Sequence, residues 1–247
     1  MRHLIPDILK PYLRSLRKLY YMMVYVRAPK SAAYYCPVCN VGLRRWVIIT
    51  WEDTVCCLCS SSERNRLAWW FLERRTPLFD GKQRKMLHIA PEEQFVNRLS
   101  AAVGPGYITA DLLAPRVMVH MDITKIQYGD NFFDVIFCSH VLEHVPNDRL
   151  AIKELGRVLK PGGFAVIQVP IVADTTFEDP SIIDPRERLR LFGQEDHVRV
   201  YGPDFIIRLK DAGLNVQKIS ASDFLGPEEI ARGHLTKLSG DIFYCTK

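Results

Sequence analysis

Residues 134–145 have the sequence DVIFCSHVLEHV, and residues 154–163 have the sequence ELGRVLKPGG. The first stretch begins inside a nearly continuous apolar run, Phe132–Ser139, which is typical of a strand buried on both faces. Apolar side chains then recur at helical spacing over Asp148–Leu159, and the Pro-Gly-Gly that follows ends the predicted helix. Another apolar run, Phe164–Val169, predicts the next buried strand. The chain therefore passes from one buried strand to another through a helix.

The same alternation of strands and helices extends over residues 85–247. It predicts an α/β fold in which a parallel sheet carries helices on both faces. The further strands are predicted at Met86–Ala90, Tyr107–Ala110, Val117–Met121, Val216–Ile219 and Ile242–Cys245, and the further helices at Pro91–Val103 and Phe205–Ala212.

The composition bounds the class of protein. Of the 247 residues, 48% are hydrophobic and 25% are charged, which is the balance of a globular protein and excludes a wholly disordered chain. No apolar run approaches the roughly 20 residues that a membrane-spanning helix needs. Charged residues interrupt the N-terminal stretch at Arg2, Asp7, Lys10 and Arg14, so we expect no secretory signal peptide, a cytoplasmic location and reduced thiols.

The net charge of +5 is unevenly distributed along the chain. Residues 1–30 carry seven Lys/Arg and one Asp, whereas residues 86–247 carry seventeen basic and twenty-two acidic side chains. The basic front part is suited to an anionic partner. Charge and pattern together predict four parts: a basic amphipathic helix over 1–30, a cysteine module over 31–62, a connecting helix over 63–84 and an α/β domain over 85–247.

The predicted N-terminal helix places apolar Leu16 and Leu19 at helical spacing, with Arg17 and Lys18 between them. One interpretation is a helix packed against the rest of the protein. The other is an interfacial helix on an anionic membrane, with tyrosines such as Tyr20 at the headgroup level, which would make the protein peripheral to the membrane.

Two C-x-x-C pairs form a metal-binding pattern. Cys36 and Cys39 make the first pair, Cys56 and Cys59 make the second, and sixteen residues separate the pairs. This spacing is typical of a four-cysteine zinc ribbon, because both sulfurs of one turn reach the same tetrahedral ion. Four thiolates leave no open position, so the predicted Zn²⁺ is structural, and Cys57 is not expected to be a ligand. Ser60 and Glu63 predict a capping box for the helix that follows.

The turn after the first strand of the α/β domain indicates which cofactor it binds. Ligands of such sheets bind at the carboxyl ends of the strands. Here the turn is Ala90-Pro91-Glu92-Glu93, whose proline and carboxylates disfavour a pyrophosphate. A cofactor with positive charge and no phosphate fits better, and S-adenosylmethionine is such a cofactor. Asp111 suits a ribose diol, and Asp122 suits an adenine amino group.

Residues 134–145 and 154–163 together resemble the fourth-strand and fifth-strand signature of class I S-adenosylmethionine-dependent methyltransferases. The resemblance is strongest to the group that includes ubiquinone and menaquinone methyltransferases. The resemblance covers roughly residues 85–247. It implies a Rossmann-like, seven-stranded, mostly parallel sheet whose last strand is antiparallel. It also implies that Asp111 binds the ribose, that Asp122 and Ile123 adjoin the adenine, and that Ser139 and His140 lie beside the methionine part of the cofactor.

The first motif departs from the pattern of that family, which has an acidic residue followed by Gly-x-Gly-x-Gly. Here His88 replaces the acid, Ala90 stands in the glycine turn, and Glu92 is expected to take over the contact to the cofactor ammonium. A subgroup of bacterial methyltransferases with an N-terminal cysteine module and a Leu-His-x-Ala-Pro-Glu turn looks similar. The alternative is a degenerate cofactor site.

The long segment Ile171–Val200 is expected to cover the mouth of the active site, because long connections are usually functional or disordered. Near its end, a His-x-Arg-x-Tyr pattern resembles the segment of the family near the acceptor. We predict catalytic roles for His197, His140 and Tyr201, with His197 as a general base. We predict substrate binding by Arg199 and His144. The alternative is that these side chains only hold the loop or support the site.

Three functions are compatible with the sequence. The first is methyl transfer to a small-molecule, lipid-linked or glycan-related acceptor. The second is RNA methylation, with the cysteine module and the basic N-terminal region binding RNA and nearby arginines on phosphates, although the acidic α/β domain disfavours nucleic acid. The third is a non-catalytic scaffold. No oligomeric state is predicted. The arginines of the second interpretation are Arg44, Arg45, Arg64, Arg66, Arg74 and Arg75.

Overall fold

The computed structural model describes residues 10–27, 32–48 and 54–247. Contacts divide the chain into two compact units. Unit 1 comprises Met1–Thr76 and Phe224–Ser239, and unit 2 comprises Pro77–Asp223 and Gly240–Lys247. The four-part division predicted from the sequence remains a prediction. The ends of the helix predicted over 1–30 lie outside the described residues.

The regular elements of the described residues are numbered in chain order. The helices are α1 (Lys10–Tyr25), α2 (Glu63–Arg75), α3 (Glu93–Val103), α4 (Asp148–Val158), α5 (Pro185–Phe192), α6 (Phe205–Asp211) and α7 (Pro227–Gly233). The strands are β1 (Val26–Arg27), β2 (Tyr34–Cys36), β3 (Val41–Leu43), β4 (Val47–Ile48), β5 (Thr54–Val55), β6 (Met86–Ile89), β7 (Tyr107–Asp111), β8 (Val119–His120), β9 (Phe133–Ser139), β10 (Leu159–Gln168), β11 (Phe177–Glu178), β12 (Arg199–Val200), β13 (Asn215–Ile219) and β14 (Ile242–Thr246). Among the described helices, none has the length and apolar character needed to cross a membrane.

Unit 2 is built on a seven-stranded sheet with the strand order β13-β14-β10-β9-β6-β7-β8. Strands β8, β7, β6, β9 and β10 are parallel to their neighbours in this series. Strand β14 lies between β10 and β13 and is antiparallel to both. The predicted Rossmann-like sheet with an antiparallel last strand is confirmed.

The core of unit 2 lies where the sheet meets its helices. Leu87 of β6 pairs with Ile136 of β9, and both side chains are fully buried. Leu155 of α4 and Leu209 of α6 belong to the same apolar cluster. Apolar burial of this kind is the main term that holds the sheet and helices together. Cys138 is also fully buried there, as expected for a packing residue.

The Lys-Pro-Gly-Gly stretch follows the end of the helix, as the sequence predicts, but it does not form a separate loop. Helix α4 ends at Val158 and β10 begins directly afterwards, so the two glycines lie within the irregular first half of the strand. Gly162 has a φ of +77°, and a Cβ on Gly163 would lie 2.8 Å from the carbonyl oxygen of Asp134. Glycine at both positions therefore lets the chain turn and approach β9 closely.

Unit 1 combines small antiparallel sheets with a buried helix. Strands β1, β3 and β2 form one sheet, and β4 pairs with β5. Helix α2 is largely buried, including Trp69 and Trp70. The predicted capping box was misplaced: Ser62 caps this helix with Asn65, and Ser62 N–H donates to Asn65 Oδ1 at 3.0 Å. Glu63 instead accepts from the backbone N–H of Thr236 at 2.7 Å.

Arg66 lies in the core of unit 1 and not on its surface. Its guanidinium donates to the carbonyl oxygens of Gly233 at 2.7 Å, Ser61 at 2.8 Å and Thr54 at 3.0 Å, and it lies 4.0 Å from the ring centroid of Trp46. Arg66 therefore cannot contact a phosphate, which corrects the RNA interpretation at this position. The exposed members of the predicted arginine set are Arg44, Arg45, Arg74 and Arg75.

Candidate functional site

A cleft of about 710 Å³ opens at the carboxyl ends of β6, β7, β8 and β9. This is the size and position expected of a small-molecule site in a sheet of this kind. The predicted site residues that line it are Ala90, Asp111, Asp122, Ile123, His140 and His144. The predicted site residues that do not line it are His88, Glu92, Ser139, His197, Arg199 and Tyr201.

The turn after β6 is shaped by Ala90, which has a φ of +47°. This left-handed conformation is one that glycine adopts freely and alanine at a cost, so Ala90 occupies a backbone position suited to glycine. The Ala90 N–H donates to the carbonyl oxygen of Ala110 at 2.8 Å. The backbone turn of the cofactor loop is therefore present without the glycines.

His88 and Glu92 contact each other. His88 Nε2 lies 2.8 Å from Glu92 Oε2, and His88 Nδ1 lies 2.7 Å from the hydroxyl of Tyr107. The imidazole is fully buried and packs edge-on against Phe137, with ring centroids 5.0 Å apart. These contacts tie the cofactor loop to β6 and β7. The direct cofactor contacts expected of His88 and Glu92 stay predictions.

Asp111 and Asp122 stand at the cleft on well-defined turns. Asp111 Oδ1 accepts from the backbone N–H of Leu113 at 2.8 Å and of Ala114 at 2.7 Å. Asp122 Oδ1 accepts from the backbone N–H and the hydroxyl of Thr124 at 2.8 and 2.7 Å. In both carboxylates one oxygen holds the turn, so the other is left for a ligand among the described contacts.

The turn after β9 carries His140, which has a φ of +54°. Its backbone N–H donates to the carbonyl oxygen of Gln168 at 2.9 Å, and its Nδ1 lies 3.2 Å from Glu143 Oε1. Burial raises the pKa of Glu143, but the imidazoles of His140 and His144 outweigh this effect, so its pKa lies below the ordinary value. A carboxylate that stays charged beside His140 can hold this imidazole in place for proton transfer.

His197 does not line the cleft, but it contacts His144, which does. The two rings meet edge to face, with centroids 4.6 Å apart. The N–H of Val198 donates to the carbonyl oxygen of Glu143 at 3.0 Å, which fixes the loop before β12 against the turn after β9. His197 is buried, and burial lowers the pKa of its imidazole. His144 lines the cleft and has its Nδ1 3.1 Å from Asp196 Oδ2.

Arg199 binds the backbone of the turn after β9. Its guanidinium donates to the carbonyl oxygens of Leu142 at 2.8 Å and Pro146 at 2.9 Å, and its Nε donates to Glu178 at 2.8 Å. The hydroxyl of Tyr201 donates to Asp148 Oδ2 at 2.7 Å. Arg199 and Tyr201 are both buried, with 3% and 0% of their surface exposed. Their contacts point to a positioning role, whereas the direct roles predicted for them remain untested.

The four predicted metal ligands converge in unit 1. Cys36 Sγ lies 3.6 Å from Cys59 Sγ, Cys39 Sγ lies 3.7 Å from Cys56 Sγ, and all four sulfurs lie within 4.8 Å of one another. Sulfurs around a tetrahedral zinc ion, with Zn–S bonds of about 2.3 Å, are about 3.8 Å apart. The cluster therefore has the shape of a four-thiolate zinc site, and Cys57 is not part of it.

The comparisons with known proteins agree with this architecture. Residues 86–167 match the sequence profile of the family described as "Methyltransferase domain". A solved S-adenosylmethionine-dependent methyltransferase from Mesorhizobium loti has a similar fold, with a TM-score of 0.51, 12% identity and coverage of 73% of this chain and 98% of that one. Residues 86–167 are therefore similar to a methyltransferase domain, and the fold is that of a class I S-adenosylmethionine-dependent methyltransferase.

Two further proteins are similar to parts of this chain. Demethylmenaquinone methyltransferase from Staphylococcus aureus is 43% identical over 49 residues, which are 20% of each chain. The match thus spans about a fifth of the length of the curated relatives. Phosphoethanolamine N-methyltransferase 2 from Haemonchus contortus, solved with phosphomonomethylethanolamine and S-adenosylhomocysteine, has a TM-score of 0.50, 14% identity and coverage of 74% of this chain and 53% of that one.

Two residues that line the cleft, Leu112 and Leu113, were not predicted from the sequence. Leu112 and Leu113 line the cleft although 60% and 82% of their surface is exposed, so they form apolar surface that a ligand could cover. Two adjacent leucines directly after Asp111 were a usable signal. The approach of His197 to Glu143 had no signal, because it depends on how the long loop returns to the sheet.

Proposed function

We propose that this protein transfers a methyl group from S-adenosylmethionine to a small-molecule acceptor. The observation that carries the proposal is the cleft at the carboxyl ends of the parallel strands, with Asp111 at the end of β7 and Asp122 after β8. Two carboxylates at this edge suit a cofactor that carries hydroxyl and amino groups and no phosphate. The residues present therefore fit S-adenosylmethionine.

The proposed division of roles follows the cleft wall. Asp111 would accept hydrogen bonds from the ribose hydroxyls, and Asp122 with Ile123 would border the adenine. The Ala90 turn would let the methionine part of the cofactor approach the backbone closely. Bound S-adenosylmethionine supplies an electrophilic methyl group on its sulfonium, so the protein mainly aligns the acceptor and excludes water.

His140 is the best-placed base for an acceptor that must lose a proton. It lines the cleft, and Glu143 lies 3.2 Å from its Nδ1. The general-base role that the sequence assigned to His197 has less support, because His197 does not line the cleft. The exposed leucines Leu112 and Leu113 favour an acceptor with apolar surface, in line with a lipid-linked substrate.

Calorimetric titration with S-adenosylhomocysteine tests the proposal. We expect binding to the purified, zinc-loaded protein, no binding of NAD, and loss of S-adenosylhomocysteine binding in Asp111→Ala. Asp174→Ala, a substitution at an exposed aspartate away from the cleft, is the matched control and should bind as the wild type does. Failure of the folded wild-type protein to bind would favour the scaffold interpretation.

We propose that the four cysteines of unit 1 hold a structural Zn²⁺. The sulfur–sulfur distances support this, and four thiolates leave no position for a substrate. Metal analysis of the purified protein should give one zinc per chain, and Cys39→Ser should lose it. A protein that is folded and metal-free would contradict the assignment.

We further propose that α1 contacts an anionic membrane surface. Leu16, Leu19, Tyr20 and Met23 share one face of the helix, and between 49% and 70% of each residue is exposed. An exposed apolar stripe beside basic positions is typical of an interfacial helix. Liposomes containing anionic lipid should sediment the protein at low salt, and Leu16→Glu should weaken this. Ile48→Glu, at another exposed apolar residue, is the control. RNA that copurifies with the protein in a salt-dependent manner would favour the nucleic-acid interpretation instead.

A further inference from the structure

The turn after β9 and the loop before β12 bring together three side chains of metal-ligating type at the edge of the cleft. Ligand atoms of Glu143, His144 and His197 all lie within 4.8 Å of one another. The proposed methyl transfer requires none of these three side chains to act as a ligand. We propose that they form a second metal centre, which binds a divalent first-row transition ion where His144 lines the cleft.

The polar atoms of this cluster lack the partners that burial normally demands. Glu143 is 1% exposed, and neither of its carboxylate oxygens has a hydrogen-bond partner of good geometry among the described residues. The contact between Glu143 Oε1 and His140 Nδ1 is an ion-pair contact at 3.2 Å. His197 is 6% exposed, and its Nε2 is also without a hydrogen-bond partner there. Unpartnered buried groups are costly, so a charged carboxylate and an imidazole nitrogen together indicate a ligand.

The tautomer of His197 supports the same conclusion. Its Nδ1 lies 3.0 Å from the carbonyl oxygen of Phe192. A carbonyl oxygen only accepts, so Nδ1 carries the proton and Nε2 of the neutral ring presents its lone pair. Metal-ligating histidines usually donate their second ring nitrogen to a carbonyl or a carboxylate in this way. His144 has a corresponding neighbour, because its Nδ1 lies 3.1 Å from Asp196 Oδ2.

The donor set defines the class of ion. Two imidazoles and one carboxylate suit zinc, iron, cobalt, nickel or manganese, and three protein ligands leave coordination positions open. His144 and Asp196 both line the cleft, so the open positions would adjoin it. This centre differs from the four-cysteine cluster of unit 1, whose ligand set is closed.

The chemical role of this metal centre rests on the proposed function and narrows the acceptor to one that is methylated on a hydroxyl oxygen. An acceptor hydroxyl at the open positions would lose its proton more readily, because a cation lowers its pKa. The proton would pass to His140, the oxygen would form a bond to the methyl carbon, and the carbon–sulfur bond would break. The sulfur would keep the electron pair, leaving S-adenosylhomocysteine and the methylated oxygen.

Cobalt titration of the protein loaded with one equivalent of zinc, enough for the four cysteines alone, tests the site without an acceptor. We expect one Co²⁺ per chain, with visible bands of a nitrogen and oxygen site and no thiolate charge-transfer bands. His144→Ala and Glu143→Gln should weaken cobalt binding at least about 100-fold, since losing a ligand should exceed the 10–100-fold effect of losing an outer-shell partner. His120→Ala, at an exposed histidine outside the cluster, is the matched control.

The same samples are titrated with S-adenosylhomocysteine, so the two proposals can fail separately. Cobalt binding without S-adenosylhomocysteine binding would support the metal centre and refute the methyl-transfer role. No cobalt bound beyond the zinc, thiolate bands alone, or unchanged affinity in both variants would overturn the metal centre while leaving the proposed methyl transfer untouched.

Discussion

Replacing Arg199 by methionine should destabilise unit 2 strongly. Methionine keeps most of the length and apolar character of the side chain but removes every donor. The guanidinium now donates to three carbonyl oxygens of the turn after β9, those of Leu142, Val145 and Pro146, and to the carboxylate of Glu178. The Arg199 side chain is only 3% exposed and its bond to the carbonyl oxygen of Leu142 is buried, so water cannot replace that bond without opening the turn.

The size of the effect follows from the acceptors that lose their donor. Glu178 still accepts from Arg208, but the single proton of the Tyr201 hydroxyl is donated to Asp148, so the carbonyl oxygen of Leu142 loses its donor. The carbonyl oxygen of Val145, which is only partly buried, loses its donor too, whereas Pro146 is exposed and water can reach its carbonyl. At about 1–3 kcal/mol for each unsatisfied buried group, the free energy of unfolding should fall by about 3–5 kcal/mol, the range typical of breaking a buried ion pair.

Hydrogen exchange is the suitable assay, because unit 2 begins at Pro77 and contains no tryptophan in its sequence. Amides of β9 and β10 that exchange through global opening should exchange about 10²–10⁴-fold faster in Arg199→Met, since about 1.4 kcal/mol corresponds to a factor of ten. Arg190→Met removes an arginine whose side chain is 66% exposed and should change exchange by less than about 1 kcal/mol. Unchanged exchange in Arg199→Met, together with weakened acceptor binding, would refute the positioning role and restore the substrate-binding role that the sequence predicted.

Three further predictions follow from individual residues. Cys36→Ser should release zinc and lower the thermal stability of unit 1, measured by tryptophan fluorescence. Cys57→Ser is the control and should retain the metal. Equal loss of metal from both variants would argue against Cys36 as a ligand. Ala90→Gly should raise the free energy of unfolding by about 1 kcal/mol in urea titration, because its φ of +47° is strained for alanine; a destabilised variant would contradict this. Burial raises the pKa of Glu178, but the guanidinium groups of Arg208 and Arg199 outweigh burial and hold the pKa below its ordinary value of 4.5. The charged carboxylate therefore stabilises the fold above pH 4.5, and this stabilisation is lost as the pH falls through the lowered pKa of the folded state. Glu178→Gln should therefore lose less stability than the wild type on acidification, and parallel pH profiles would show that the carboxylate contributes nothing.

The sequence predicts the sheet of unit 2 well because its strands are buried on both faces and its helices on one. Periodicity alone separates such elements, as at Phe133–Ser139 and Asp148–Val158. It fails at Gly162 and Gly163, where the chain continues as an irregular strand although its composition is that of a turn. It also gave no sign that Phe224–Ser239 packs with the cysteine module, because that depends on contacts between distant residues.

The candidate site was predictable to the extent that it follows strand ends. Asp111, Asp122 and His140 line the cleft because each directly follows, or ends, a parallel strand. The positions of Arg199 and Tyr201 depend on a loop that folds back under the turn after β9, and the sequence contains no local signal for such a return. The His88–Glu92 contact could have been anticipated, since the two residues are four apart around a tight turn.

The position of β14 has a consequence for how the protein is made and manipulated. This strand follows the other six strands of its sheet in sequence order, yet it is an interior strand, and β13 joins the sheet through it. Lys247 extends the attachment, since its ammonium donates to Asn131 and to the carbonyl oxygen of Leu159. During synthesis the sheet cannot close until the ribosome has passed residue 246. A nonsense mutation even a few codons before that point would therefore detach two strands at once.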